Sequence, residues 1–183
     1  VAPPKQQIIA SRSFGKLVLS LEELAESVAT HTGRAAEKLR EQASLTSSIS
    51  VFIQTNIFMR NEPQYSQSIQ IPLAHPSDDT LVLTEMAIKG LKEIYKKGFR
   101  YKKAGVMLGL MTDKPVVQQS LFEDAKTRGQ SVRLMKTLDS INTRYGTHTL
   151  RVAATGTDQA WKMKSENVSP KYTSDWDQLP SVS

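Results

Sequence analysis

The three histidines and the paired acids are the side chains that could support acid–base or metal chemistry in this sequence. His31 lies among threonines in a helical pattern, His75 precedes a proline and His148 borders a strand-like segment, so their spacing is not that of metal ligands. The pairs Glu22-Glu23 and Asp78-Asp79 stand at predicted helix starts, where acidic residues favour the helix dipole. We therefore expect no catalytic residue, no metal site and no cofactor.

The composition bounds the class of protein. Hydrophobic residues make up 39% and charged residues 23% of the 183 positions, as in an ordinary globular protein. Cysteine is absent, which excludes disulfides and thiol nucleophiles and favours a reducing, cytoplasmic location. The apolar runs are too short for a membrane span, so no membrane partner is expected. The first five residues lack both an initiator methionine and a signal sequence, so we expect a portion of a longer protein.

The positive charge is concentrated in one stretch. The net charge is +6, and the segment from Lys89 to Lys103 alone holds seven cations against one anion, Glu93. This favours a polyanionic partner, although charge does not distinguish DNA, RNA and anionic lipid.

Hydrophobic periodicity before Asp113 predicts four strands and two helices. Ser20 and Glu23 form a capping box at the start of the first helix, and Pro72 indicates an edge strand. The predicted elements are a strand over 6–14 closed by Gly15, a helix from Ser20 to about Glu41, strands near 49–54 and 68–73, a helix from 78–79 to Gly98, and a strand over 106–110. The order predicts an α+β fold of the split βαβ type, a four-stranded sheet with two helices on one face and a polar face free to meet a partner.

The sequence becomes more polar and less periodic after Asp113. It predicts a short helix carrying Val132, Met135, Leu138 and Ile141, and a strand over 149–153, within a small, partly irregular extension. We therefore divide the chain into a domain over 1–112, a linker over 113–129 and an extension over 130–183. Aromatic residues in the extension indicate either a small packed subdomain or a partner surface: Trp161, Tyr172 and Trp176.

Three strings, together with the element order, carry a resemblance to a known family: SRSFGK at 11–16, FRYKKAGVMLG at 99–109 and VVQQSLFED at 116–124. The chain resembles the C-terminal half of UmuC-type proteins, catalytic subunits of translesion DNA polymerases in the Y family. The resemblance implies a little-finger domain followed by a C-terminal extension, in an enzyme of SOS mutagenesis. Y-family polymerases carry their metal-binding carboxylates in a palm domain upstream, so this portion is not expected to polymerise.

The resemblance implies a contact with primer-template DNA through the sheet and its basic edge. Sequence readout is expected to be weak, because phosphate contacts position a protein without identifying bases. The lysines of the second helix, Lys89, Lys92 and Lys96, lie away from the free sheet face and are expected to be simply solvated. The residues expected to hold template phosphates are Arg12, Ser13, Gly15 through its backbone amide, and Lys16, with further cations from Arg100, Lys102 and Lys103.

The pentapeptide Gln118-Gln119-Ser120-Leu121-Phe122 resembles the bacterial peptide that binds the sliding clamp. Leu121 and Phe122 would enter an apolar pocket and Gln118 would satisfy backbone groups at its rim. Burying both apolar side chains gives about 3 to 6 kcal/mol before ordering costs, which corresponds to a weak contact. Gln119 stands where leucine or serine is commoner, which lowers the expected affinity. The alternative is an incidental loop that packs back on the domain.

The competing interpretation is a stand-alone RNA-binding or protein-interaction module with a ferredoxin-like sheet. Such sheets stack bases on exposed aromatic residues, and here the strands offer chiefly Phe14, Phe52 and Tyr101, without an RNP-like string. The sequence therefore favours duplex DNA. The resemblance further implies contacts of the region from Gln130 onward with the UmuD′ dimer and the RecA filament.

Overall fold

The structure, a computed structural model, describes residues 6–113 and 125–163. The strands are β1 (Ile8–Val18), β2 (Ser44–Thr55), β3 (Ser66–Ser77) and β4 (Tyr101–Asp113). They form a central antiparallel sheet in the order β1-β4-β2-β3, and the predicted split βαβ order is confirmed. The helices are α1 (Leu21–Glu41), α2 (Thr80–Ile94) and α3 (Ala125–Tyr145), followed by a 3-10 helix (Ala153–Thr155).

Both helices of the first domain begin at capped residues, as their sequences predict. The Ser20 hydroxyl accepts a hydrogen bond from the Glu23 amide at 3.1 Å, and the Asp79 carboxylate accepts one from the Leu81 amide at 2.7 Å. Gly33 inside α1 weakens that helix by about 1 kcal/mol relative to alanine. Burial of one face of α1 therefore stabilises it, through Leu24, Val28, Ala35, Ala36 and Leu39.

The core lies between one face of the sheet and the two helices. In the central strands, Ile49 is in register with Leu108 and Val51 with Val106, and all four side chains are fully buried. The alternating residues point to the opposite face, which neither helix covers. Pro72 lies in β3, an edge strand, so the prediction from this proline is confirmed.

The predicted end of β1 at Phe14, with a turn at Gly15, is wrong. The strand continues through Gly15 to Val18, with a register shift between Ser13 and Val18 against β4. Phe14 and Val18 are both fully buried, and the Gly15 amide donates to the Trp161 carbonyl at 3.1 Å. Tertiary contacts therefore hold this segment extended where the local sequence favours a turn.

The extension also departs from its prediction. The third helix has 21 residues rather than the few turns expected, and the predicted strand over 149–153 is absent from the described residues. The Asn142 side chain explains the second difference. It donates to the Leu150 carbonyl at 2.9 Å and accepts from the Leu150 amide at 2.8 Å, so neither group of Leu150 is left for a strand partner.

The extension packs on the first domain through one buried guanidinium. Arg40 of α1 makes a bidentate contact with Asp139 of α3, in which Nε and Nη2 each lie 2.7 Å from a carboxylate oxygen. Its Nη1 donates to the Asp78 carbonyl at 2.7 Å and to the Thr80 hydroxyl at 2.9 Å. Only 8% of the Arg40 side chain is exposed. A single arginine thus connects α1, the start of α2 and α3.

A second contact joins the end of the extension to β1. Trp161 is only 3% exposed and packs edge-on against Phe14 and His31, with ring centroids 6.0 and 6.1 Å apart. Trp161 is therefore buried rather than part of an open partner surface, but it packs on the first domain and not within a separate subdomain. Tyr172 and Trp176 lie outside the described residues.

Candidate nucleic-acid interface

The face of the sheet opposite the helices forms an open groove of about 740 Å³. Six of its eleven lining residues carry hydroxyl or amide side chains, four are apolar, and Lys103 is the one charged residue among them. A surface of this kind offers hydrogen bonds without repelling a polyanion. The lining residues are Ile9, Ser11, Ser50, Phe52, Ser66, Gln67, Ser68, Ile69, Gln70, Lys103 and Met107.

Gly105 determines the depth of the groove, because it has no side chain. A Cβ atom at this position would lie 2.3 Å from the Ser11 Cβ and 2.5 Å from the Phe52 ring, closer than real Cβ atoms approach. Ser11 and Phe52 are the residues in register with Gly105 on the two neighbouring strands. Because any larger residue would displace them, glycine sets the depth of this surface.

Two of the predicted DNA contacts, Ser13 and Lys103, share the free face. They are in register across β1 and β4, and cross-strand partners point to the same side of a sheet. The Lys103 ammonium lies 5.9 Å from the centre of the Phe52 ring. This cation–π contact holds a positive charge over the groove.

Arg12 and Lys102 were also predicted to hold phosphates, but neither presents a free cation on that face. Arg12 is in register with the buried Ala104, so its exposed side chain leaves β1 on the helix-covered side. The Lys102 ammonium donates to the Phe14 carbonyl at 2.6 Å. It satisfies a carbonyl of the irregular segment of β1, which is a structural role.

The prediction for Gly15 requires a correction. Its amide, expected to approach a phosphate, donates instead to the Trp161 carbonyl, and an added Cβ would lie 2.8 Å from the Lys162 carbonyl oxygen. The lack of a side chain at Gly15 therefore admits the backbone of the extension. Sequence reasoning missed this role because nothing local to Gly15 indicates it.

Lys16 and Arg100 are exposed cations that pair with nearby acids. The Lys16 ammonium lies 2.7 Å from the Glu23 carboxylate, and the Arg100 guanidinium lies 2.6 Å from that of Glu62. Each cation keeps about half of its side chain exposed, at 52%. Exposed pairs of this kind contribute about 0 to 1 kcal/mol, so a phosphate can share or replace the carboxylate.

The free face lacks the aromatic platform that the RNA interpretation needs. Phe14 and Tyr101 are fully buried in the core, and only Phe52 of the three candidate aromatics lines the groove. One half-buried ring beneath a lysine does not make a row of stacking sites.

The remaining predicted site residues, Gln118, Leu121 and Phe122, lie outside the described residues. Among the residues that are described, no cluster of histidines and carboxylates could hold a metal ion. No helix in the described part of the chain is long and apolar enough to cross a membrane.

A split βαβ sheet with one face left open, joined to a helical extension, makes the chain an α+β domain of that type with a C-terminal addition. Two family models match it: the impB/mucB/samB family C-terminal domain over residues 5–121, and a domain of unknown function (DUF4113) over residues 132–182. The chain belongs to the impB/mucB/samB family. The resemblance to UmuC-type proteins is confirmed.

Curated relatives match nearly the whole chain. It is 42% identical to the protein UmuC of Salmonella typhimurium, over 99% of this chain and 43% of that protein. It is 40% identical to the protein SamB of Salmonella typhimurium, over 98% of this chain and 42% of that protein. A solved structure of a DinB family error-prone DNA polymerase from Sulfolobus solfataricus has a TM-score of 0.46 and 13% identity, covering 56% of this chain and 28% of that one. The chain thus spans about two fifths of the length of its curated relatives.

Proposed function

We propose that this chain is the non-catalytic C-terminal portion of an error-prone translesion DNA polymerase, acting in the cytoplasm during SOS mutagenesis. It holds primer-template DNA through the free sheet face and binds the sliding clamp through residues 118–122. The open groove lined by uncharged polar side chains, with cations around it, is the observation that carries the proposal. The division into a domain over 1–112, a linker over 113–129 and an extension over 130–183 is part of it.

The groove suits a duplex because its floor and its surroundings differ in charge. Serine and glutamine side chains on the floor can hydrogen-bond to sugar and base edges, and Lys103 supplies a cation within the groove. Lys16 and Arg100 supply two more exposed cations and Arg12 a fourth at the β1 edge. Four phosphate contacts, one for each of these cations, give a slope of about −3.6 for the logarithm of affinity against the logarithm of salt concentration. Gly15 and Lys102 are assigned structural roles instead.

The salt dependence of DNA binding tests whether the cations of the groove contact DNA phosphates. The change Lys103→Ala should make the slope shallower by about 0.9, because one phosphate contact is lost. Lys89→Ala is the matched control, since this exposed lysine lies on α2, behind the sheet. Fluorescence anisotropy with labelled primer-template DNA at several salt concentrations measures both. Equal slopes for the two variants, or binding that ignores salt, would contradict the proposed face.

Clamp binding is tested on the pentapeptide itself. Replacing Leu121 and Phe122 together by alanine should reduce clamp affinity at least tenfold, because both apolar anchors are removed. The matched control is Val132→Ala with Leu134→Ala, a pair of exposed apolar residues on α3. Surface plasmon resonance on immobilised clamp gives the affinities. If the pentapeptide variant binds as tightly as the unmodified chain, the clamp assignment fails.

The family relationship also places the UmuD′ dimer and the RecA filament among the proposed partners, at the region from Gln130 onward. Pull-down of each partner with the full chain and with the chain ending at residue 113 tests this. Retention by the shortened chain would contradict the assignment to the extension.

A further inference from the structure

The turn between β2 and β3, residues 56–64, presents three consecutive apolar side chains to solvent. We name these residues the β2–β3 finger. Phe58 is 87% exposed, Ile57 59% and Met59 38%. Phe58 is the most exposed of the large hydrophobic side chains in the described residues. Three adjacent exposed apolar residues at the tip of a turn indicate a contact site, because a polar turn would serve the fold equally well.

The finger is held in shape by one side chain. The Gln64 amide nitrogen donates to the carbonyls of Asn56 and Met59, at 3.2 and 2.9 Å, and to that of Glu62 at 3.1 Å. Its oxygen accepts from the Thr55 hydroxyl at 3.0 Å. These bonds fix the backbone that carries the apolar residues. A preorganised finger loses little conformational entropy when it binds.

The amide of the exposed residue is also fixed. The Phe58 amide donates to the Asn56 side chain at 3.1 Å, and the Met59 amide donates to the Asn56 carbonyl at the same distance. The exposed ring therefore stands on a backbone whose neighbouring donors already have acceptors. What the tip offers to a partner is an apolar face rather than free hydrogen-bonding groups.

The surroundings of the finger are cationic. Arg60 lies two residues after Phe58, directly after Met59, and has no ion pair within the described residues. Glu62, the one acid of the finger, is paired with Arg100. At the base of the finger, the Lys96 ammonium lies 5.8 Å from the centre of the Tyr65 ring. An exposed aromatic ring among cations suits a polyanion that carries flat bases.

The finger stands at one end of the groove. Gln54, just before it, is in register with Ser66 and Lys103, which both line the groove. Because β2 and β4 are antiparallel, the finger lies at the end of the sheet opposite to Asp113, after which residues 118–122 follow. A duplex that lies along the strands therefore has the finger at one end and Asp113 at the other.

We propose that Phe58 stacks on an unpaired base of single-stranded DNA that leaves the duplex, with Arg60 at a flanking phosphate. This inference rests on the proposed function, because it needs a duplex in the groove. It adds a contact with the unpaired strand to the contact with the duplex. Stacking on one aromatic residue changes affinity by about 5- to 100-fold when that residue is replaced by alanine.

The test compares two DNAs and two substitutions in the full chain. One DNA is a blunt duplex, and the other is the same duplex with a single-stranded template overhang. Phe58→Ala should weaken binding to the overhang DNA at least fivefold and leave blunt-duplex binding unchanged, whereas Phe58→Trp should keep the unmodified affinity. Leu81→Ala, at an exposed leucine on α2, is the control for loss of apolar surface and should change neither. An abasic overhang should remove the advantage of the unmodified chain.

The results separate the inference from the function on which it rests. Suppose that the unmodified chain binds blunt duplex, and that Phe58→Ala binds the overhang DNA as tightly as the unmodified chain binds it. The stacking contact is then refuted, and the proposed duplex contact in the groove is unaffected. The same holds if Phe58→Ala weakens both DNAs equally, or if the finger proves to bind the clamp. If the unmodified chain binds neither DNA, the proposed function fails first.

Discussion

Acidification should loosen the contact between the extension and the first domain, because a buried histidine lies in that contact. His31 of α1 is 1% exposed and packs against Trp161. Within the described residues its Nε2 has no hydrogen-bond partner. Burial, and then the positive charges of Arg34 and Arg12, lower the pKa of His31 from 6.5 to about 4. The folded protein thus keeps this imidazole neutral.

The sign and size of the effect follow from proton linkage. Since the pKa of His31 is lower in the folded than in the unfolded state, the unfolded state binds more protons between these two pKa values. The free energy of unfolding therefore falls as the pH drops below about 6.5. With a folded pKa of about 4, the loss is about 2 kcal/mol at pH 5 and approaches about 3.4 kcal/mol below pH 4.

Urea unfolding from pH 7.5 to 4.5 measures this loss, followed by circular dichroism. The variant His31→Gln cannot take up the proton, so its unfolding free energy should depend on pH less steeply than that of the unmodified chain. Taking the difference between the two chains cancels other groups, including His148, whose pKa burial lowers, and Glu37, whose pKa burial raises. Parallel pH profiles for the unmodified chain and His31→Gln would refute the linkage.

Two substitutions probe the same contact from other sides. Gly15→Ala places a methyl group 2.8 Å from the Lys162 carbonyl oxygen and 2.9 Å from the Met163 Cα, so hydrogen exchange at residue 15 should accelerate at least tenfold. Gly33→Ala adds a methyl group that would meet only the Thr80 Cγ2, at 4.0 Å, so this change should not accelerate that exchange and should stabilise α1 by up to about 1 kcal/mol. Asp139→Asn leaves the buried Arg40 guanidinium without its carboxylate and should lower the unfolding free energy by about 1 to 3 kcal/mol in urea titrations. Asp158→Asn, at an exposed site, is the control and should have no effect. Equal unfolding midpoints for the two aspartate variants would contradict the role of Arg40.

The first domain could be predicted because its signals are local. Alternation in β2 and β4, and the caps at Ser20 and Asp79, lie within a few residues of the structure that they determine. The end of β1 could not be predicted, because it depends on a backbone bond from Gly15 to Trp161. The strand expected over 149–153 failed for a similar reason, since the Asn142 side chain holds Leu150.

The candidate site was predictable in composition and not in arrangement. The sequence indicated a half-polar sheet and a basic stretch, but the face on which each cation lies depends on register. Arg12 and Ser13 are neighbours in sequence and leave β1 on opposite sides. The exposure of Phe58 could not be predicted from the sequence, because an aromatic residue near a turn is as compatible with burial in the core as with exposure.

The guanidinium of Arg40 has a consequence for how the chain stays together. It makes four hydrogen bonds across three helices. The indole of Trp161 makes a second contact between the halves, against His31 of α1. Non-covalent contacts of Arg40 and Trp161 thus hold the first domain and the extension together. If the polypeptide were severed between 113 and 125, the halves should reassociate as in split-protein complementation.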